Sequence, residues 1–222
     1  MSRAFGYVAA AILIIAAGAL LIVRAQSWQR PAGAHVAQVT TATVQDETPV
    51  YKIDARYPEF GIAAIDTQIK SDIDGAISEI RSYPANPADM ASPQNELTIR
   101  YDRPYIGPDV VSAKLYLSQY TGGAHPNTLV SGLNFDRASG TRLLQDDAFK
   151  MIGLTVDQVS TKATAELKAK LGGDMFEDGA NSNPENFSSF LISADKVTFI
   201  FQPYQVAAYA AGAQEVSFPR IK

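Results

Sequence analysis

Histidine and cysteine, the side chains most often asked to do chemistry near neutral pH, are scarce in this chain. Only His35 and His125 occur in 222 residues, and cysteine is absent. His125 lies in Tyr120-Thr-Gly-Gly-Ala-His-Pro-Asn127, and Asp136 or Asp102 could serve as an orienting acid. An imidazole and a carboxylate are two parts of a triad or an acid/base pair. The hydroxyl part is missing, because no Gly-x-Ser-x-Gly elbow occurs. The plainer reading is that His125 shapes a turn before Pro126, with its ring bonded to a neighbouring backbone group. A hydrolytic zinc centre needs three or four His, Cys or carboxylate ligands. One usable histidine and no cysteine do not supply them, so neither a metal nor a cofactor is expected. The lack of cysteine also removes disulfides and thiolate nucleophiles.

The carboxylates do not form an evident pair. Asp72 and Asp74 are two apart on an expected helix and point to different faces. Asp146-Asp147 precedes Ala148-Phe149 and reads as a turn or cap, and Glu177-Asp178-Gly179 as a loop. A glycosidase holds two carboxyls about 5–10 Å apart across a cleft, and no spacing here marks such a pair. The stretch from Asp174 to Glu185 lacks the ligand spacing of an EF-hand. Asn186-Phe-Ser188 fits the glycosylation acceptor pattern, which is common by chance.

Contact is the chemistry the aromatic residues suggest. In the first segment Tyr120, Gly122, Gly123, His125 and Pro126 cluster. In Phe201-Gln-Pro-Tyr-Gln-Val-Ala-Ala-Tyr-Ala-Ala-Gly212, Pro203, Tyr204 and Tyr209 do. Gly and Pro directly after alternating strand patterns specify tight backbone. Tyrosine offers apolar area and a hydroxyl together, which suits protein partners and sugar rings. For Tyr120 and Tyr204 two readings stand side by side: exposed anchors, or core tyrosines whose hydroxyls bond to loop backbone.

These segments need elements to hold them. Val39–Val44 and Val50–Tyr57 alternate and suggest a hairpin. Ile65, Ile69, Ile73, Ile77 and Ile80 recur at spacings of four and three, which predicts an amphipathic helix over 63–82. Three strands follow, around Leu97–Tyr101, Val111–Leu117 and Leu129–Phe135, with Arg103–Pro108 separating the first two. Their connections are too short for crossovers, so they form an antiparallel meander. Thr155 with Gln158 makes a capping box for a second helix with Val156, Val159, Ala163, Leu167 and Leu171 on its buried stripe, stopped at Gly172. Asn183-Pro184 begins a short helix through Phe190, and strands follow at Val197–Phe201 and Val216–Phe218.

Ala4 to Val23 is apolar or small without a charge. As a helix it covers about 30 Å, one hydrocarbon thickness. It reads as an uncleaved anchor. The alternative is a signal peptide cleaved after Ala25 or Ala34, with an apolar core longer than the usual ~7–15 residues. Trp28 suits a membrane interface. Beyond residue 35, sixteen basic residues stand against twenty-three acidic ones. That balance repels nucleic acid and favours a basic partner by steering.

The Tyr120–Asn127 and Phe201–Gly212 segments, with Asn134-Phe-Asp136, Gly140, Leu143 and Val216-Ser-Phe-Pro219, resemble a paired bacterial cell-envelope domain. It is similar to the outer part of RsiV-type anti-sigma factors and the N-terminal module of PdaC-type peptidoglycan deacetylases. The Val39–Ser82 stretch resembles the first half of that pair. The resemblance implies lysozyme or the wall polymer as partner. Few residues precede the apolar segment and no deacetylase domain follows Lys222, so the shared module is expected without either effector.

The sequence thus predicts an α+β fold, with a mainly antiparallel sheet packed by two main helices and preceded by one N-terminal transmembrane helix. Residues 1–25 form the anchor or signal peptide and 26–38 a linker. The halves of the outer domain are 39–120 and 121–222. The expected protein sits in the cytoplasmic membrane through residues 4–23, with its C-terminal domain in the periplasm. There it is expected to bind, without catalysis, lysozyme or another basic envelope protein, or peptidoglycan fragments. The competing reading is a cell-wall sugar hydrolase or deacetylase using His125 and Asp136.

Overall fold

The computed structural model describes residues 38–87 and 92–221. The expected anchor at 4–23 lies outside them. Among the described residues no helix is long and apolar enough to cross a membrane.

Strands β1 (Thr40–Glu47) and β2 (Tyr51–Glu59) form the expected hairpin. Helix α1 (Ala63–Ser82) follows as the isoleucine spacing predicts, and all five isoleucines are buried. Its start is held by Asp66, whose carboxylate accepts the Phe60 N–H at 2.7 Å. Its end falls at Tyr83, kept extended by the following Pro84. The chain then returns as β3 (Asn95–Ile106), parallel to β2, because a helix long enough to cross over lies between them. Strands β4 (Val110–Tyr120) and β5 (Asn127–Asp136) complete the meander. The five-stranded sheet runs β1-β2-β3-β4-β5 and is mixed. One face carries Ile53, Leu97, Ile99, Val111, Leu133 and Phe135 against the isoleucine stripe of α1. Burying each such side chain contributes about 1.5–3 kcal/mol.

Three elements depart from expectation. β3 does not stop before Arg103. It continues to Ile106 through a bulge between Asp102 and Tyr105, where Pro104 needs no ladder hydrogen bond. A short helix, α2 (Gln145–Ile152), precedes the capping-box helix α3 (Val156–Leu171). Asp147 acts at its start, accepting the Leu144 N–H at 3.0 Å. The expected helix through Phe190 is only a 3-10 turn at Pro184–Phe187, followed by a three-residue strand, β6 (Phe190–Ile192).

β6 joins β7 (Lys196–Phe201) and β8 (Gln214–Pro219) in a separate antiparallel sheet, ordered β6-β7-β8. One face packs Phe190, Ile192, Val197, Phe199, Phe201, Val216 and Phe218 against α2 and α3. The other turns Leu191 and Ile200 toward Val130 and Tyr116 of the first sheet. The order of layers is α1, five strands, three strands, then α2 with α3. Where the sheets meet, β6 lies across β4 and β5. Asn134 donates to the Phe190 carbonyl at 2.7 Å and accepts the Ile192 N–H at 3.0 Å, while the Ser112 hydroxyl donates to the Ile192 carbonyl. Gly132 must be glycine at this crossing, because a Cβ would overlap the Phe190 carbonyl. The boundary expected between 120 and 121 falls at the turn of the β4–β5 hairpin, and β5 belongs to the first sheet.

Candidate functional site: an aromatic cluster on two loops

The β4–β5 loop and the segment after β7 come together. Gly122 at φ 96° and Gly123 at φ 109° turn the chain back after Tyr120 through conformations that a side chain would strain. The Tyr120 ring is 7 % exposed and its hydroxyl donates to the Gly123 carbonyl at 3.2 Å. Of its two readings the structure gives the internal one: Tyr120 holds the loop and does not offer a free ring.

The second loop is held by its glutamines. Val130 lies on the outer edge of β5, and Gln202 takes the place of a sixth strand there. Its Oε1 accepts the Val130 N–H at 2.8 Å and its Nε2 donates to the Val130 carbonyl at 2.6 Å. Gln205 accepts the Gln202 N–H at 2.8 Å and donates to the carbonyls of Gly179 and Asn186, both at 2.9 Å. Between them the Gln205 N–H returns to the Gln202 carbonyl at 3.0 Å, closing a four-residue turn. Pro203 fixes the negative φ of its first central position. Tyr204 occupies the second at φ 70°, where a type II turn ordinarily takes glycine or asparagine.

That turn projects Tyr204, 58 % exposed, beside Tyr209 and His125. His125 stacks on Tyr209 with ring centroids 4.2 Å apart, and Tyr204 lies 5.3 Å from Tyr209 and 6.4 Å from His125. The Pro126 carbonyl anchors both partners, accepting from the Tyr209 hydroxyl at 3.1 Å and from His125 Nδ1 at 2.9 Å. A carbonyl can only accept, so Nδ1 carries the proton. Nε2 then faces the Tyr204 hydroxyl at 3.4 Å. His125 does bond the backbone of its neighbour, as the turn reading expects. Five of the eight sequence candidates, His125, Pro126, Pro203, Tyr204 and Tyr209, converge here, while Tyr120, Gly122 and Gly123 support them from below.

Asp136 does not join them. It sits at the far end of β5, about 30 Å from Asn127 at the rise of an extended strand. There its carboxylate accepts the Ser139 N–H and hydroxyl, both at 2.7 Å, which hold it below the usual carboxylate range. The His125–Asp136 pair is thereby corrected: the strand separates the two groups. Among the described residues no three histidine or carboxylate side chains gather as a metal site. What the cluster can offer is two phenols and an imidazole for contact.

A second constellation escaped the sequence reading. Glu215 of β8 accepts both guanidinium nitrogens of Arg103, one at 2.9 Å, and the ammonium of Lys114 at 2.5 Å. The Arg103 hydrogen bonds pull the Glu215 carboxyl down to about 2, against the opposing effect of burial, with Lys114 adding to the depression. Sequence spacing gives no hint of this tie, because its members lie on three strands of two sheets.

This fold, an α+β unit of a mixed five-stranded sheet on an antiparallel three-stranded one, is shared. A DUF3298-family structure from Bacteroides fragilis superposes with a TM-score of 0.53 at 17 % identity, covering 82 % of this chain and 90 % of that one. A DUF3298-family structure from Pseudomonas aeruginosa gives 0.52 at 14 %, with the same coverage. Residues 44–128 match the family model described as "Deacetylase PdaC", and residues 147–220 match "Protein of unknown function (DUF3298)". The chain thus carries a PdaC-type module followed by a DUF3298-type module. It is 27 % identical over 190 residues to the peptidoglycan-N-acetylmuramic acid deacetylase PdaC of Bacillus subtilis, covering 82 % of this chain but 40 % of that enzyme. It is 24 % identical over 180 residues to the immunogenic protein MPT64 of Mycobacterium tuberculosis, covering 80 % of this chain and 78 % of that one.

Proposed function

We propose that this chain is a binding protein of the bacterial envelope, tethered to the cytoplasmic membrane through residues 4–23. Its folded part faces the periplasm and recognises lysozyme or a peptidoglycan fragment without catalysing a reaction. The supporting observation is the ring cluster of Tyr204, Tyr209 and His125. Two loops braced by carbonyl and glutamine hydrogen bonds present it, and its exposed Tyr204 is held at a positive φ. Strained backbone of this kind concentrates at ligand contacts. The acidic balance beyond residue 35 suits a basic partner such as lysozyme. A relative named as a peptidoglycan deacetylase, matched over 40 % of its length, supports the wall polymer as the other ligand class.

The test is capture by the purified protein of lysozyme and of soluble peptidoglycan fragments. Tyr204→Ala should weaken capture of one of them by about tenfold or more, as loss of an exposed aromatic anchor does, with thermal melting unchanged. Equal capture of both ligands by the variant and the wild type would reject the assignment.

A further inference from the structure

The segment that carries Tyr209 has a second side. Ala207, Ala208, Ala210 and Ala211 form one wall of an open cleft of about 610 Å³, whose opposite wall is the last turn of α3 and the turn beyond it. That volume is in the range of ligand-sized sites. Phe176 stands at the rim, 47 % exposed, and its N–H donates to the Val206 carbonyl at 2.8 Å, pinning the two walls together. The alanines offer side chains of one methyl group each and the Phe176 ring is open to water, which gives an apolar side chain a surface to meet beside the polar backbone.

Two charged residues line the cleft, Lys170 and Asp174, and among the described residues only the carboxylate is left without a counter-charge. No lysine or arginine occurs from Leu171 through Asp195, whereas Asp174, Glu177, Asp178 and Glu185 do. The cleft's own cation, Lys170, is paired with Glu166 at 2.7 Å, and the neighbouring Lys168 with Glu177 at 2.5 Å. Asp174 lines the cleft and has no ion-pair partner among the described residues. The C-terminal end of α3, the negative end of its dipole, points at the same mouth. We propose that this cleft docks a basic peptide segment bearing one aromatic side chain. The ring enters between Phe176 and the alanine wall, and the flanking cations meet Asp174 and the end of α3. This is a contact surface separate from the Tyr204 cluster, and it does not depend on what that cluster binds.

The probe is a fluorescent pentapeptide of four lysines around a central phenylalanine, titrated into the full chain and read by anisotropy. Saturable binding is expected. Phe176→Ala, Ala210→Trp, which fills the cleft, and Asp174→Lys should each weaken it about tenfold or more, and Leu144→Ala, on a distant exposed side chain, should not. If a variant fails to melt like the wild type, crosslinking of a benzophenone-bearing version of the peptide to the wild-type chain decides. Labels within residues 170–176 or 207–211 support the site, and labels elsewhere overturn it. The proposal also fails if the peptide does not saturate, if a glycine-centred peptide binds equally, if a glutamate-flanked peptide binds, or if an N-acetylglucosamine oligomer displaces the probe.

Discussion

Arg103 and Tyr204 are the two non-glycine residues that hold positive φ among the described residues, at 49° and 70°. A side chain in that region costs on the order of 1–2 kcal/mol. At Arg103 the fold recovers that cost. The bulge in β3 swings the guanidinium onto Glu215, which also holds the ammonium of Lys114, so that strands of both sheets are tied at one carboxylate. At Tyr204 nothing comparable happens. The ring is exposed, and among the described residues its hydroxyl's only polar contact is the 3.4 Å approach to His125. The same backbone strain serves cohesion in one place and presentation in the other. The difference lies in what the side chain reaches after the turn is made.

The strongest way to test the cohesive side is Glu215→Gln. Lys114 is 5 % exposed and would be left as a buried ammonium without its counter-charge. Breaking such a pair from one side costs about 3–5 kcal/mol, which urea unfolding should read directly. The double variant with Lys114→Met should regain most of that loss, because the stranded charge is then gone. A loss under about 1 kcal/mol in Glu215→Gln would show that the tie is an ordinary surface ion pair.

Acid should expose the same carboxylate. The folded Glu215 titrates at about 2, below its ordinary 4.5, so the unfolded chain takes up the proton first as pH falls. Its contribution is fully present above about pH 4.5 and disappears as pH falls through about 2, amounting to at most about 3 kcal/mol. In Glu215→Gln the unfolding free energy should therefore fall less steeply across that window than in the wild type. Parallel curves would remove Glu215 from the account of acid stability.

Arg103→Gly is a smaller perturbation that separates strain from tie. Glycine relieves the positive φ but forfeits the two hydrogen bonds to Glu215 and adds freedom to the unfolded chain. A net loss of about 1–2 kcal/mol is expected, measured by the same denaturant curves. A gain in stability would mean that the strain at Arg103 outweighs its contacts.

The legible parts of this molecule are those whose physics is local and periodic. The five isoleucines of α1 and the Thr155–Gln158 box of α3 announce their helices, because burial and capping repeat at fixed spacing. The loop residues of the ring cluster could also be singled out, since glycine and proline beside tyrosine mark shaped turns. α2 and β6 could not. Eight residues beginning Gln145-Asp-Asp and three apolar residues buried on both faces carry too few periods to distinguish a helix or strand from a loop. The bulge at Arg103 reads in sequence as a strand end, because proline ordinarily ends a ladder. The pairing of Gln202 with the Val130 edge, and of Glu215 with Lys114, depends on how two sheets cross, which no local spacing encodes. The mistaken His125–Asp136 pair has the same origin in reverse, since neighbours in sequence are carried apart by an intervening strand.

Tyr204→Gly makes the same change as Arg103→Gly at the presenting site, and the opposite balance is expected. Glycine is at home at φ 70° in the second central position of the turn, so the strain disappears. The ring it removes is exposed and buries little area against the protein. The unfolded chain gains freedom worth roughly 0.5–1 kcal/mol, which offsets the relief. Stability should therefore change by less than about 1 kcal/mol, while capture of lysozyme or of wall fragments weakens as in Tyr204→Ala. If denaturant curves instead show a loss of about 2 kcal/mol or more, Tyr204 is holding its loop much as Arg103 holds its strand. The contrast between a residue strained for cohesion and one strained for display would then collapse, whatever the binding assay reads.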